Sequence, residues 1–494
     1  MVNKKRSGLL LHITSLPGKY GIGDLGPQAY KFADFLTGAK QRVWQILPLT
    51  PPAGPRYSPY NSYSAFAGNT ALISPEILYR QSLLTKSEIA DCPKFEKTRV
   101  EFAKVTAFKS KLLNTAYKRC EKTQKYEQFC AEHSEWLEDY ALFTALRKSF
   151  RNRLWCDWPA ELRDRQENAI ESAKAELREP IEREKFLQYL FFEQWFALKK
   201  YCNNLGIKII GDLPIYVSYQ SADVWSHPEI FKLDSDKRPT CVSGVPPDYF
   251  SKTGQLWSNP IYNWHVLTDT GFEWWFDRIG HNLTLFDRTR IDHFRGFFGF
   301  WEVPAGHKTA INGKWVKGPG KKFFDILFKR FSKKTIIAED LGLITNDVIS
   351  YVKNAGLPGM RVLQFGFDGN TRENPHFPKN HIKNSICYTG THDNNTTVAW
   401  FNKEIRDEQK ALLFKCLGRK PKAADIHWEM IRLALASKAD LVIIPVQDVL
   451  GLGEEARMNR PARAMGNWLW RMLPDKLTPQ IAKKLSAMTH ASGR

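Results

Sequence analysis

Three carboxylates, each at the end of its own short apolar run, constrain this chain more than any other feature. Asp292 closes Thr289-Arg290-Ile291, Glu339 closes Ile336-Ile337-Ala338, and Asp393 stands at the end of Ile386-Cys387-Tyr388-Thr389-Gly390-Thr391-His392. If each run is a buried parallel strand followed by a helix, the acids converge at the carboxyl end of a barrel, where the βα-loops build a site. A single aspartate at a strand end is often the N-cap of the next helix, and Asp340 and Asp347 are read that way. Three acids in order, one with an arginine two residues ahead and one directly after a histidine, are not explained as caps. They predict an enzyme.

The rest of the chain can be read around these positions. Strands are predicted at Leu9–Ile13, Val43–Leu47, Ile207–Ile210, around Arg290, and at Thr335–Ala338, Arg361–Phe367, Ser385–Tyr388 and Asp440–Pro445, with a helix over Tyr30–Ala39. Residues 1–494 then form one (β/α)8 TIM barrel, an α/β fold. From 74 to 204 the sequence is helical, rich in Lys, Glu, Leu and aromatic residues, and reads as a helical subdomain inserted in the barrel. The last strand-like run is followed only by loop and helix, so no C-terminal β-domain is expected. Residues 242–264 read as a long loop stiffened by Pro246-Pro247, with Gly244 and Gly254 permitting turns and Tyr249, Phe250 and Trp257 offering aromatic surfaces.

A convergent carboxylate set suits chemistry on a glycosidic bond. Cleavage with retention needs one carboxylate to attack the anomeric carbon and one protonated acid, about 5 Å away, to protonate the leaving oxygen. On a strand of period two, Arg290 and Asp292 face the same side, so the guanidinium can keep Asp292 ionised and oriented as the nucleophile. Glu339 follows an apolar run that can raise its pKa towards that of a general acid. Asp393 is left to stabilise the oxocarbenium-like transition state, and His392 beside it to hydrogen-bond a sugar hydroxyl. Asp212, which ends another strand, takes a structural or binding role at the barrel mouth. Trp257 is the tryptophan assigned to a sugar ring, and Gln255, two residues before it, and Arg290 are assigned with it to substrate binding; most of the 16 tryptophans are core. His293, expected to point away from Asp292, has no assigned role.

The acids resemble those of the α-amylase superfamily. The whole chain resembles the amylomaltases, the 4-α-glucanotransferases, from Gly8-Leu9-Leu10-Leu11-His12 to Gly466-Asn467-Trp468-Leu469-Trp470-Arg471. Between these lie Gln45-Ile46-Leu47-Pro48-Leu49, Ser58-Pro59-Tyr60, Gly211-Asp212-Leu213-Pro214-Ile215-Tyr216-Val217 and Gly254-Gln255-Leu256-Trp257, and it is their order and spacing that carry the resemblance. It implies Asp292 as nucleophile, Glu339 as acid/base, Asp393 as transition-state stabiliser, Tyr60 stacked on the donor sugar, Asp212 close to the site, 242–264 as a lid on the acceptor side, and no cofactor. It also implies transfer of an α-1,4-glucan segment to the 4-hydroxyl of an acceptor glucan or glucose. The carboxylates alone fit an amylase-type α-1,4-glucan hydrolase equally well, because the two reactions differ only in what intercepts the covalent intermediate. Two positions depart from the pattern: Ala462 stands where glycine is common and Asn263 where aspartate is frequent.

Composition excludes some rivals. A net charge of +20 raises nucleic-acid binding, but the Lys and Arg are interspersed with acids, as in Glu182-Arg183-Glu184-Lys185, without a basic tail or a nucleic-acid motif. Retention of all three acids argues against a non-catalytic glucan-binding protein. Eight cysteines at irregular spacing without a Cys-x-x-Cys pair read as reduced thiols rather than a metal site. No metal-ligand cluster, signal peptide or membrane span is recognised, so the expected setting is the cytoplasm, with maltooligosaccharides as partners and neither nucleic acid nor membrane.

Overall fold

The computed structural model describes residues 5–247 and 251–494. In chain order its strands are β1 (Arg6–Leu10), β2 (Val43–Gln45), β3 (Lys208–Leu213), β4 (Cys241–Val245), β5 (Gln255–Pro260), β6 (Arg288–Ile291), β7 (Gly299–Pro304), β8 (Lys314–Lys317), β9 (Ile336–Ala338), β10 (Gly359–Val362), β11 (Ser385–Tyr388) and β12 (Leu441–Pro445). Eight of them form a parallel sheet in the order β10-β11-β12-β1-β2-β3-β6-β9. The two ends of this sheet meet, where the Ala338 amide donates to the Pro358 carbonyl at 3.1 Å. With helices between the strands, this is a (β/α)8 barrel.

Each expected strand has a counterpart, although Leu9–Ile13 and Arg361–Phe367 share only two residues each with β1 and β10, the chain turning into a short 3-10 helix soon after each. The barrel strands are buried along nearly their whole length, as apolar runs covered on both faces must be. The covering helices carry the matching stripe. Pro27–Gly38 opens with proline in its first turn and buries Ala29, Phe32, Ala33 and Leu36, spaced as one face of a 3.6-residue period.

Between β2 and β3 the chain runs through helices from Pro75–Arg80 to Arg178–Asn204. The last of these is also the helix that leads into β3. Its Trp195 donates to the Leu285 carbonyl at 3.2 Å, and Gln188 and the Gly68 backbone exchange two bonds of 2.8 and 3.1 Å. The two Gln188 bonds anchor the Pro- and Gly-rich segment after β2, which carries Tyr60. Gly211 is required where β3 passes Phe286, because a Cβ there would lie 2.0 Å from the ring.

The segment 242–264, read as a loop, is ordered differently. Its described residues include most of β4 and all of β5, two strands of a four-stranded antiparallel sheet in the order β5-β4-β7-β8. Tyr249 and Phe250 lie outside the described residues. After β12, the described residues hold short helices, loop and the helix Pro479–Ala491.

Candidate active site

The register of β3 and β6 sets Asp212 beside Arg290, and Ile291 beside Ala338 of β9, so that Asp212, Asp292 and Glu339 emerge at the same end of three neighbouring strands. The Arg290 guanidinium is buried. Its Nη1 donates to both Asp212 oxygens, at 2.7 and 2.6 Å, and its Nη2 donates to Asp292 Oδ1 at 2.7 Å. Tyr60 completes this set by donating its hydroxyl to Asp212 Oδ2 at 2.7 Å. Asp212 therefore has both oxygens engaged by protein donors and is buried, whereas Asp292 keeps 28% of its side chain exposed. A buried charge with every oxygen partnered is fixed in place, and what it holds is fixed with it.

Glu339 sits in a different environment. It is buried, and its two oxygens accept only backbone amides: His293 N at 2.7 Å and Leu341 N at 2.8 Å. Burial pushes its carboxyl up to about 8, against the pull of Arg290, with the Asp292 charge adding to the rise. Asp292 is pushed up to about 6, again chiefly by burial, and Arg290 offsets more of the rise there than any other group. Of the two acids, Glu339 is the one that keeps a proton at neutral pH.

The His293 amide reaches Glu339 because His293 leaves the strand in the left-handed conformation, with φ at 49°. This turn was not anticipated. Its ring is met edge-on by Trp257 of β5, with centroids 5.0 Å apart, and Trp257 Nε1 donates to Gln255 Oε1 at 3.4 Å. Gln255 and Trp257, two residues apart, share a face of β5, so the small sheet brings both towards the end of β6.

Asp393 is held from elsewhere. Its side chain is 45% exposed, with Oδ1 accepting from Asn459 Nδ2 at 2.6 Å and lying 3.5 Å from His392 Nε2. Arg457 Nη2 donates to the Asp393 carbonyl at 2.9 Å. The His392 ring stacks on Tyr60 at 5.1 Å, and Trp468 leans over both rings. His392 also lines a small, partly open pocket together with His12, Asp448 and Met458. Asn459, Arg457 and Trp468 were not expected at the site. Their segment has no periodicity to read, and only the contacts reveal what its Asn, Arg and Trp do.

Tyr60, Asp212, Arg290, Asp292 and His392 thus form one connected set, with Glu339 and Asp393 on either side and Gln255 and Trp257 reaching it through His293. Asp340, read as a cap, instead accepts from the Met360 amide at 2.6 Å and pairs with Arg361 at 3.1 Å. Asp347 does lie in the first turn of the helix Asn346–Ala355. Among the described residues no group of three or more His, Cys, Asp or Glu could hold a metal ion.

A parallel eight-stranded barrel with a proton-holding acid and an arginine-clamped carboxylate on adjacent strands defines an enzyme of the (β/α)8 class. The chain belongs to the 4-alpha-glucanotransferase family, glycoside hydrolase family 77, whose sequence profile matches residues 11–477. It is 46% identical to a 4-alpha-glucanotransferase of Aquifex aeolicus, over 95% of this chain and 96% of that one. A 4-alpha-glucanotransferase of Synechocystis is 45% identical over 100% and 99% of the two chains. Among solved structures, the amylomaltase from Streptococcus agalactiae in complex with acarbose superimposes with a TM-score of 0.96 at 38% identity, covering 99% of this chain and 100% of that one.

Proposed function

We propose that the protein disproportionates maltodextrins, moving an α-1,4-glucan segment to the 4-hydroxyl of an acceptor glucan or glucose by double displacement. One observation carries the assignment of roles: of two acids on adjacent strands, one is clamped by a buried arginine and the other is left to hold a proton. In this reading Asp292 attacks the anomeric carbon while Glu339 gives its proton to the departing oxygen, releasing the reducing-end piece. Glu339, now ionised, takes the proton of the acceptor hydroxyl as that oxygen attacks the glycosyl-Asp292 ester, and the carboxylate is regenerated. Asp393 steadies the positive charge that develops at the sugar ring. Arg290 and Asp212, expected among the substrate-binding residues, have their polar atoms engaged by one another and by Asp292 and Tyr60, which supports a reading in which they serve substrate binding through those neighbours. Tyr60, His392, Gln255 and Trp257 bind the sugar.

The segment 242–264 serves as the lid on the acceptor side, where excluding water favours a sugar hydroxyl as the interceptor. Residues 1–494 make one catalytic unit, with 74–204 as the helical insertion. Oligosaccharides are the partners, a reading supported by acarbose in the streptococcal relative. A cytoplasmic setting is supported by the eight cysteines, all unpaired. No described helix is long and apolar enough to cross a membrane.

Incubation of the purified protein with maltotriose, with products resolved by chain length, tests the reading. Glucose together with maltopentaose and longer chains, at constant total reducing ends, is the expected result. Rising reducing ends with only shorter sugars would instead make the protein an amylase-type hydrolase.

A further inference from the structure

Arg295 follows Asp292 by three residues, and its side chain is 92% buried, with 8% exposed. Its guanidinium nevertheless makes one hydrogen bond among the described residues, from Nη1 to the Leu343 carbonyl at 2.5 Å. Among the described residues its Nε is buried without a partner and no carboxylate lies within ion-pairing distance; Asp347 acts on it from further away. A buried cation with spare donors is costly unless something uses them. The guanidinium lies 3.8 Å from the centre of the Trp315 ring on the edge strand β8. Trp315 pairs with Trp301 across β7 and β8, and it is 43% exposed. Leu343, four residues beyond Glu339, is exposed beside the same guanidinium.

The proposed mechanism does not use this group. An indole ring stiffened by a stacked guanidinium and 43% exposed offers a flat apolar surface of the kind on which the C–H face of a sugar ring stacks. The platform is close to the site: three residues put the Cα of Arg295 within about 11 Å of that of Asp292. The chain that follows Glu339 forms its other edge. A general acid stands on the leaving-group side of the scissile bond, so a glucan passing Glu339 towards Leu343 is on the acceptor side.

We infer that Trp315, backed by Arg295 and edged by Leu343, is a glucan-binding platform beyond the reacting subsites that holds the acceptor-side length of long α-1,4-glucans. This rests on the disproportionation reading. The test compares Trp315→Ala and Trp315→Phe with wild type, using maltotriose and long-chain amylose as substrates and retardation in amylopectin gels as a readout independent of turnover. For Trp315→Ala the expected result is a KM for amylose raised about five-fold, the size of one lost ring contact, with weaker retardation and unchanged maltotriose kinetics. Trp315→Phe should recover most of both losses.

Amylose KM and retardation equal to wild type would overturn the inference. An equal loss on both substrates at unchanged Tm would also overturn it, placing Trp315 in the shared cleft. If wild type itself fails to disproportionate maltotriose, the broader reading fails; wild-type turnover with an indifferent Trp315 removes only the platform.

Discussion

The two sides of the site are built on different principles. On the β3–β6–β9 side, strand register delivers Asp212, Arg290, Asp292 and Glu339, and the Asp212–Arg290 pair that holds Asp292 is buried with both Asp212 oxygens engaged. On the β11 side, Asp393 stands five residues past the strand, nearly half exposed, and is kept in place by Asn459 and Arg457 from a segment more than sixty residues away. Backbone pairing makes the first side rigid. The second is adjustable, which suits the role proposed for Asp393, following a changing sugar ring rather than forming a bond to it.

The largest expected effect is on the rigid side. Asp292→Asn removes the proposed nucleophile and should lower turnover by roughly four orders of magnitude, with no glycosyl-enzyme detectable by intact-protein mass spectrometry. Substantial surviving turnover would move the nucleophile elsewhere. Asp212→Asn leaves Arg290 short of one buried countercharge, so it should cost about 3 kcal/mol of stability as well as turnover, read as a lower denaturation midpoint. Asn459→Ala on the adjustable side should behave oppositely, lowering kcat about ten-fold with little change in the midpoint, because it frees a part-exposed carboxylate. Equal stability losses for Asp212→Asn and Asn459→Ala would dissolve the distinction between the two sides.

Proton linkage sharpens the comparison further. Glu339 is raised in the folded state from the ordinary glutamate value to about 8, so the folded protein binds the extra proton between those limits and loses stability as pH climbs through them. Glu339→Gln should therefore have a higher Tm than wild type at pH 8 by a few degrees, with the gap closing towards pH 4.5. The wild-type rate should fall below about pH 6 as Asp292 gains a proton and above about pH 8 as Glu339 loses one.

The smallest effect concerns Ala462, whose φ of 64° lies where an L-residue is strained. Ala462→Gly should raise stability by at most about 1 kcal/mol, since relief of strain is partly cancelled by the freer unfolded chain. A large gain in turnover instead would tie this turn directly to Asp393.

What could be read in advance follows the same division. Asp292, Glu339 and the arginine two residues ahead of Asp292 were legible because strand period and apolar runs are local signals. Tyr60 and His392 were placed by their motifs, but their stacking on one another is a tertiary fact. Asn459 and Arg457 gave no local signal, since a hydrogen bond across sixty residues leaves no trace in spacing, and Trp468, although it lies in a recognised motif, was given no role until its ring was seen against Tyr60 and His392. The strands β4 and β5 were hidden by Gly244, Pro246, Pro247 and Gly254, which read as loop although they surround a short antiparallel pair. His293 was unreadable because its role belongs to its backbone amide and to a left-handed turn that a histidine does not announce.

The barrel closes between β9 and β10 through one amide-to-carbonyl bond and the Asp340 carboxylate, not through a strand ladder. Seven seams are welded and the eighth is a clasp, fastened by the neighbour of the very acid that handles the proton. Amides along that clasp should exchange with solvent ahead of those in the seven ladders, so the ring opens first beside Glu339.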